Sequence, residues 1–183
     1  MAAGKKKLLL VNFGNTHPGR AVVWSHFCGG AQKWATCSVK GQKNNVMGNP
    51  HLVKYYSKTV AAHKFVVSPR GNGIDTHRFW EAVYLGAVPI VLHSPLDALY
   101  GQVPSLIVKD YTAVTEAMLE QLWASKYAAA AAAPIAPVAE RAFWHRKIEA
   151  VRAAALPPGT NSSSAGRVRC WGPKGRRRLR RRG

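Results

Sequence analysis

The residues best suited to chemistry lie in one stretch, residues 68–81, with the sequence SPRGNGIDTHRFWE. Two basic side chains, Arg70 and Arg78, flank a turn that contains Gly71 and Gly73. Arginine forms charge-assisted hydrogen bonds with phosphate, and glycine lets the backbone approach an anion closely. A helix that begins after this turn would add the partial positive charge of its N-terminal N–H groups. The stretch therefore predicts a binding turn for pyrophosphate.

Two familiar phosphate-binding signatures do not fit this turn. The chain has no G-x-x-x-x-G-K-[ST] segment, and the run Gly71, Asn72, Gly73 lacks the third glycine of the dinucleotide fingerprint. A tight structural turn between a strand and a helix would have the same pattern. The spacing alone leaves both interpretations open.

The helix predicted after the turn carries further candidates. Arg78 falls in the first helical turn, where a cation opposes the helix dipole and requires a compensating anion, so we interpret it as functional. His77 can contact phosphate or be an ordinary histidine on the helix surface. Asp75 is predicted to be the N-cap of the helix, and Trp80 to belong to the core.

The elements that position these residues are predicted from five short apolar runs, at 8–12, 35–39, 64–68, 88–92 and 105–108. Unbroken apolar runs are typical of parallel strands that are covered on both faces. Helical spacing of apolar residues occurs between and after them, at 20–27, 51–62, 76–85, 112–123 and 140–155. The alternation predicts an α/β fold, a Rossmann-like open parallel sheet flanked by helices.

Ligands of such sheets bind beyond the carboxyl ends of the strands. The turn at 69–75 follows the third predicted strand, and Ser94 follows the fourth. Ser94 is therefore a candidate for the same pocket.

Composition restricts the classes of protein. The chain has 183 residues with 47% hydrophobic side chains, which favours one globular domain, and no apolar run is long enough to span a bilayer. The net charge of +19 favours anionic partners such as nucleic acid, phosphorylated small molecules or acidic lipid. No RRM, KH, zinc-finger or helix-turn-helix signature accompanies the charge.

The chain divides into three predicted segments. Residues 5–124 form the Rossmann-like domain, 125–155 an Ala/Pro-rich linker with a C-terminal helix, and 156–183 a disordered basic tail that can bind polyanions. Nine of the tail's residues are basic and none is acidic.

Cysteines and carboxylates predict neither a disulfide framework nor a metal site. Cys28, Cys37 and Cys170 are odd in number and form no C-x-x-C pair. The three aspartates of the chain are widely separated, so no paired-carboxylate site for a divalent cation is predicted.

The segment that follows the turn carries a family resemblance. Residues 81–91, EAVYLGAVPIV, resemble the E-A-x-x-x-G-x-P-[IV]-[VI] segment of the donor half of GT-B glycosyltransferases. More specifically, KFVVSP at 64–69, the run to Glu81 and SPL at 94–96 resemble exostosin-type (GT47-like) glycosyltransferases. The C-terminal domain of ribitol xylosyltransferase is equally similar. The resemblance covers about residues 5–124 and is densest at 51–124.

The resemblance implies one half of a GT-B architecture, the domain that binds the donor. It implies an enzyme that transfers a sugar from a nucleotide diphosphate sugar, with UDP-sugar favoured, to a glycan or glycoprotein acceptor. Glu81 would accept hydrogen bonds from the donor ribose, and Arg20 joins the phosphate candidates. The nucleotide-sugar site is therefore predicted to comprise Arg20, Arg70, Gly71, Asn72, Gly73, His77, Arg78, Glu81 and Ser94.

Some points stay open under the resemblance. Gly73 stands where retaining members often have a second glutamate, so the stereochemistry and the catalytic residue are not assigned. No cofactor or metal is expected, because fixed positive charge can neutralise the leaving diphosphate. About seven residues precede the first strand, so we expect the acceptor-side domain to be missing from this chain.

The family's location in Golgi or secretory membranes is likewise implied by the resemblance alone. The chain itself carries no recognisable targeting signal. Two other classes remain alternatives: a basic protein that binds nucleic acid or other anions, and an inactive interaction domain that kept the fold.

Overall fold

The computed structural model describes residues 5–30, 33–38 and 50–155; the predicted tail at 156–183 lies outside them. Five strands form one parallel sheet in the order β2-β1-β3-β4-β5. The prediction of an α/β fold with an open parallel sheet is confirmed. The strands are β1 (Lys7–Val11), β2 (Ala35–Cys37), β3 (His63–Val67), β4 (Val88–Leu92) and β5 (Leu106–Val108).

Helices follow most strands along the chain. They are α1 (Gly19–Cys28), α2 (Pro50–Ala61), α3 (His77–Tyr84), α4 (Asp97–Tyr100), α5 (Glu116–Leu122), α6 (Ala128–Ala132) and α7 (Arg141–Ala155). Short 3-10 turns lie at Tyr111–Ala113 and Pro137–Ala139, and a π-helical turn joins α5 to α6 at Trp123–Tyr127.

The prediction of one helix over 112–123 is wrong at its start. Asp110 accepts a hydrogen bond from the backbone N–H of Thr112 and holds a 3-10 turn there. The α-helix begins later, where the side chain of Thr115 caps it by accepting from Met118 N at 3.2 Å. Both aspartate and threonine are good caps, and a 3-10 turn often precedes a helix.

The core lies on both faces of the sheet, because neighbouring side chains along a strand point to opposite faces. Leu9 and Phe65 pack on one face with Phe27 of α1, and Leu119 of α5 joins the same cluster. The other face carries Leu10 and Val66 with Val60 of α2 and Ala82 of α3, and, farther along, a cluster around Phe79 and Tyr100. The unbroken apolar strands are explained by this double coverage.

Much of the segment predicted as a linker is packed. Tyr127 is buried in the core, and its hydroxyl donates to the carbonyl of Ser105 at 2.7 Å. Val138 and Ala139 are buried in the cluster around Phe79. Of the described residues, those up to His145 belong to one compact unit and residues 146–155 to another.

A disulfide joins Cys28, the last residue of α1, to Cys37, the last residue of β2. This bond corrects the expectation that the cysteines form no disulfide, for one pair. The two residues are nine positions apart, and their pairing follows from the return of the chain from α1 to the sheet edge.

No helix among the described residues is both long and apolar enough to cross a lipid bilayer.

Candidate functional site

The sheet order places the candidate site between the ends of β1, β3 and β4. The chain leaves β1 toward β2 on one side, whereas it leaves β3 toward β4 on the other. In open parallel sheets this reversal creates a crevice beyond the carboxyl ends of the strands, and ligands bind there. The loops at 12–18 and 68–76 border the crevice.

Arg20 ties these two loops together. Its guanidinium donates three hydrogen bonds to backbone carbonyls: Nη1 to Gly14 at 2.8 Å, Nε to Arg70 at 2.8 Å and Nη2 to Pro69 at 2.9 Å. The side chain is buried, and burial, followed by the nearby charge of Arg78, lowers the pKa of Arg20. This geometry gives Arg20 a positioning role in the loops that carry the other candidates.

Gly71 is packed against the guanidinium of Arg20. A Cβ atom at Gly71 would lie 3.2 Å from Arg20 Nη2 and 3.2 Å from Thr16 Oγ1. The backbone N–H of Gly71 donates to the carbonyl of Gly73 at 3.1 Å, so this turn closes on itself. The glycine at 71 is therefore explained by close packing, which the sequence analysis had considered as the structural alternative. Asn72 and Gly73 are exposed at the tip of the turn.

A cleft of about 290 Å³ opens at the ends of β3 and β4. Two of the predicted site residues, Arg70 and Ser94, line it. Its walls also include Ser68, Ile74, His93 and Tyr100. The structure thus brings residues from two successive strand–helix loops to one concave surface.

Helix α3 begins beside the turn with an open N-terminus. Thr76 occupies the N-cap position, but its side chain makes no capping hydrogen bond, and no acidic residue lies in the first turn. His77 is exposed there. Such an end presents N–H groups to an anion.

Arg78 and Glu81 form an ion pair on α3, with 3.4 Å between Arg78 Nε and Glu81 Oε2. The arginine side chain is 17% exposed and the glutamate side chain 41%. Glu81 therefore supplies at least part of the negative charge that the sequence analysis required beside Arg78. The two side chains lie one helical turn apart on α3, and neither is among the residues that line the cleft.

Asp75 does not cap α3, and that prediction is wrong. Its carboxylate accepts hydrogen bonds from Trp80 Nε1 at 3.0 Å and from the Tyr100 hydroxyl at 3.2 Å. Burial, followed by the charge of Asp75, raises the pKa of Tyr100 well above its usual value. Trp80 packs against the cluster around Phe79, as predicted. The Asp75 carboxylate thus links the turn at 69–75 to α3 through Trp80. It also links this turn to α4 through Tyr100, which lines the cleft.

His93 and Tyr100 line the cleft but are not among the predicted site residues, although His93 directly precedes Ser94 at the predicted ligand edge. The His93 ring contacts the carboxylate of Asp97, which also accepts from Ser94 N at 2.9 Å. Burial opposes ionisation of Asp97, but the bonds from Ser94 and His93 outweigh it and lower the pKa of this carboxyl. A histidine and an aspartate four residues apart after a strand were the available signal. No residue pattern near Tyr100 in the sequence identifies it as a cleft residue.

Across residues 5–30, 33–38 and 50–155, no three or more His, Cys, Asp or Glu side chains are grouped so that they could hold a metal ion. The expectation of a metal-independent site stays a prediction.

Comparison of the chain with protein-family models found no match, and comparison with curated protein sequences found none either.

Proposed function

We propose that this chain is the donor-binding domain of an exostosin-type glycosyltransferase, and that it binds a nucleotide diphosphate sugar at the carboxyl edge of β3 and β4. The observation that carries the proposal is the cleft of about 290 Å³, lined by Arg70 and Ser94, at the ends of these strands. The carboxyl edge is the side of an open parallel sheet where ligands bind, and this cleft lies one strand along from the reversal between β1 and β3. The resemblance of residues 64–96 to the family supplies the class of ligand.

The charges near the cleft suit a diphosphate. Arg70 is exposed at its rim, and Arg78 lies in the first turn of α3, whose N-terminus has no side-chain cap. Fixed cations aimed at the leaving diphosphate would stabilise the negative charge that develops as the glycosidic bond to phosphate breaks. This role requires no cofactor or metal. Arg20 would act indirectly by holding the backbone of Arg70 in place.

Glu81 is proposed to accept hydrogen bonds from the ribose hydroxyls. It lies one helical turn beyond Arg78, and its half-exposed carboxylate is oriented by that arginine. A donor whose phosphates lie at the helix N-terminus would place its ribose about one to two turns farther along α3.

The remaining parts of the proposal rest on the resemblance. UDP-sugar is the favoured donor, a glycan or glycoprotein is the acceptor, and the enzyme would work in Golgi or secretory membranes.

The test is calorimetric titration of the full chain with UDP, GDP and CMP. We expect UDP to bind preferentially, and Arg70→Gln and Glu81→Ala each to weaken UDP binding about tenfold, the effect of losing one charge-assisted hydrogen bond. Glu149→Ala is the matched control, since Glu149 also pairs with an arginine three residues away, at 2.8 Å. Failure of a folded chain to bind any of the three nucleotides would refute the proposal.

The same variants separate the alternatives. A nucleic-acid-binding protein would bind single-stranded RNA with an affinity that UDP does not reduce and that Glu81→Ala leaves unchanged. An inactive interaction domain would keep its fold and bind no nucleotide.

A further inference from the structure

Helix α7 carries an exposed apolar stripe. Trp144, Ile148 and Val151 are 45%, 52% and 68% exposed, and they are spaced four and three residues apart. At 3.6 residues per turn this spacing places all three on one face of the helix. Exposed aliphatic and aromatic side chains in a continuous stripe are typical of interaction surfaces.

One residue of the stripe, Trp144, also takes part in the contacts that hold the start of the helix. Phe143 packs against the core cluster around Phe79, and Trp144 Nε1 donates to the carbonyl of Val138 at 2.8 Å. The first turn of α7 is thus anchored, while Ile148 and Val151 remain largely exposed.

Basic residues flank the stripe. At 100° per residue, Arg141 and Arg152 project on one side of it and Lys147 on the other. The one acidic residue of α7, Glu149, is paired with Arg152 at 2.8 Å. The sequence after the helix continues this charge, with nine basic and no acidic residues at 166–183.

We propose that α7 binds the surface of an anionic membrane, with Trp144, Ile148 and Val151 inserted among the lipid headgroups and the flanking cations at the phosphate level. An apolar stripe bordered by Lys and Arg is the arrangement that interfacial helices use, since the long cationic side chains reach back to the headgroups. A nucleic acid would use the cations but would gain little from Ile148 and Val151. A neutral apolar partner would gain nothing from the cations.

The test is flotation of the full chain with vesicles of phosphatidylcholine, with and without about a third phosphatidylserine. We expect binding to the anionic vesicles and little to the neutral ones. The double substitution Ile148→Ser and Val151→Ser should weaken binding at least about tenfold, because two aliphatic side chains are no longer transferred from water into the membrane. This variant keeps every positive charge, so its effect reports the stripe and not the basic tail.

The matched control is Val22→Ser, since Val22 is 66% exposed on α1. It should bind vesicles like the parent chain. Absence of binding to anionic vesicles would overturn the proposal. So would equal binding by the double variant, or a double variant that loses binding to single-stranded RNA as strongly as binding to vesicles. Because neither Ile148 nor Val151 is among the residues that line the cleft, UDP titration of the double variant should be unchanged. This keeps the result distinct from that of the proposed function.

Discussion

Arg20 Nε donates a hydrogen bond to the carbonyl oxygen of Arg70, 50 residues farther along the chain, at 2.8 Å. The two arginines therefore differ in what their side chains contact. The first is buried with its guanidinium turned onto backbone carbonyls, whereas the second is exposed and lines the cleft. Both arginines are phosphate candidates on sequence alone.

Replacing Arg20 by Met should reduce the free energy of unfolding by about 2–4 kcal/mol, because three hydrogen bonds from a charged group are lost and three carbonyls lose their partner. Denaturant unfolding followed by circular dichroism measures this. Arg152→Met is the control, and removal of its exposed ion pair should cost less than about 1 kcal/mol. Equal losses of unfolding free energy in the two variants would contradict a stabilising role for the three hydrogen bonds of Arg20.

Gly86→Ala should destabilise the chain by about 1–2 kcal/mol. Gly86 ends α3 with φ at 67°, and a Cβ atom there would lie 3.3 Å from the carbonyl oxygen of Ala131. The thermal unfolding midpoint is the measurement. Gly30→Ala serves as the control, since a Cβ atom at Gly30 would meet nothing within 4 Å. A Gly86 variant as stable as the Gly30 variant would show that the left-handed conformation is not required.

The double substitution Cys28→Ser and Cys37→Ser should cost about 2–3 kcal/mol, the loop-closure contribution expected for a separation of nine residues. Urea unfolding without reductant compares this variant with Cys170→Ser, which keeps the disulfide. If the two proteins unfold at the same urea concentration, the bond contributes nothing to stability.

His63 should make stability fall in acid. Its ring is fully buried, with Nδ1 2.6 Å from the carbonyl oxygen of Thr59. Burial lowers its pKa, the Thr59 carbonyl opposes this, and Lys7 and Lys5 lower it further. The unfolded chain, with a histidine pKa of about 6.5, then binds more protons between the two pKa values. Stability therefore rises with pH through that window and decreases as the pH falls below about 6.5.

Urea unfolding at a series of pH values tests this dependence. His63→Gln should flatten the curve below about pH 6.5, whereas Val22→Ser, which changes an exposed residue with no titratable group, should leave the slope unchanged. A parent chain whose stability does not change over that range would contradict the buried neutral histidine.

The strands were predictable because each is an unbroken apolar run that the fold covers on both faces. The five strands lie within one or two residues of their predicted bounds. The stop of α3 at Gly86 was predictable too, since a glycine often ends a helix by adopting positive φ. These features depend on local sequence.

Other features of the structure depend on partners that are distant in sequence. Asp75 is engaged by Tyr100, 25 residues away, and so does not act as a local cap. Arg20 turns inward because the loop after β3 presents two carbonyls to it. The alanine-rich segment is held by Tyr127 and Val138, whose burial depends on the assembled sheet. The local spacing of residues does not predict such contacts.

Strand β2 has three residues and lies at the edge of the sheet, where β1 is its neighbour. So short an edge strand contributes few ladder hydrogen bonds, and the bond from Cys37 to α1 supplies a covalent attachment in their place. In a reducing solution this attachment is lost, and fraying of β2 would expose the unpaired backbone of β1 to a strand from another molecule. We therefore expect reduction of this disulfide to open this border of the sheet to self-association.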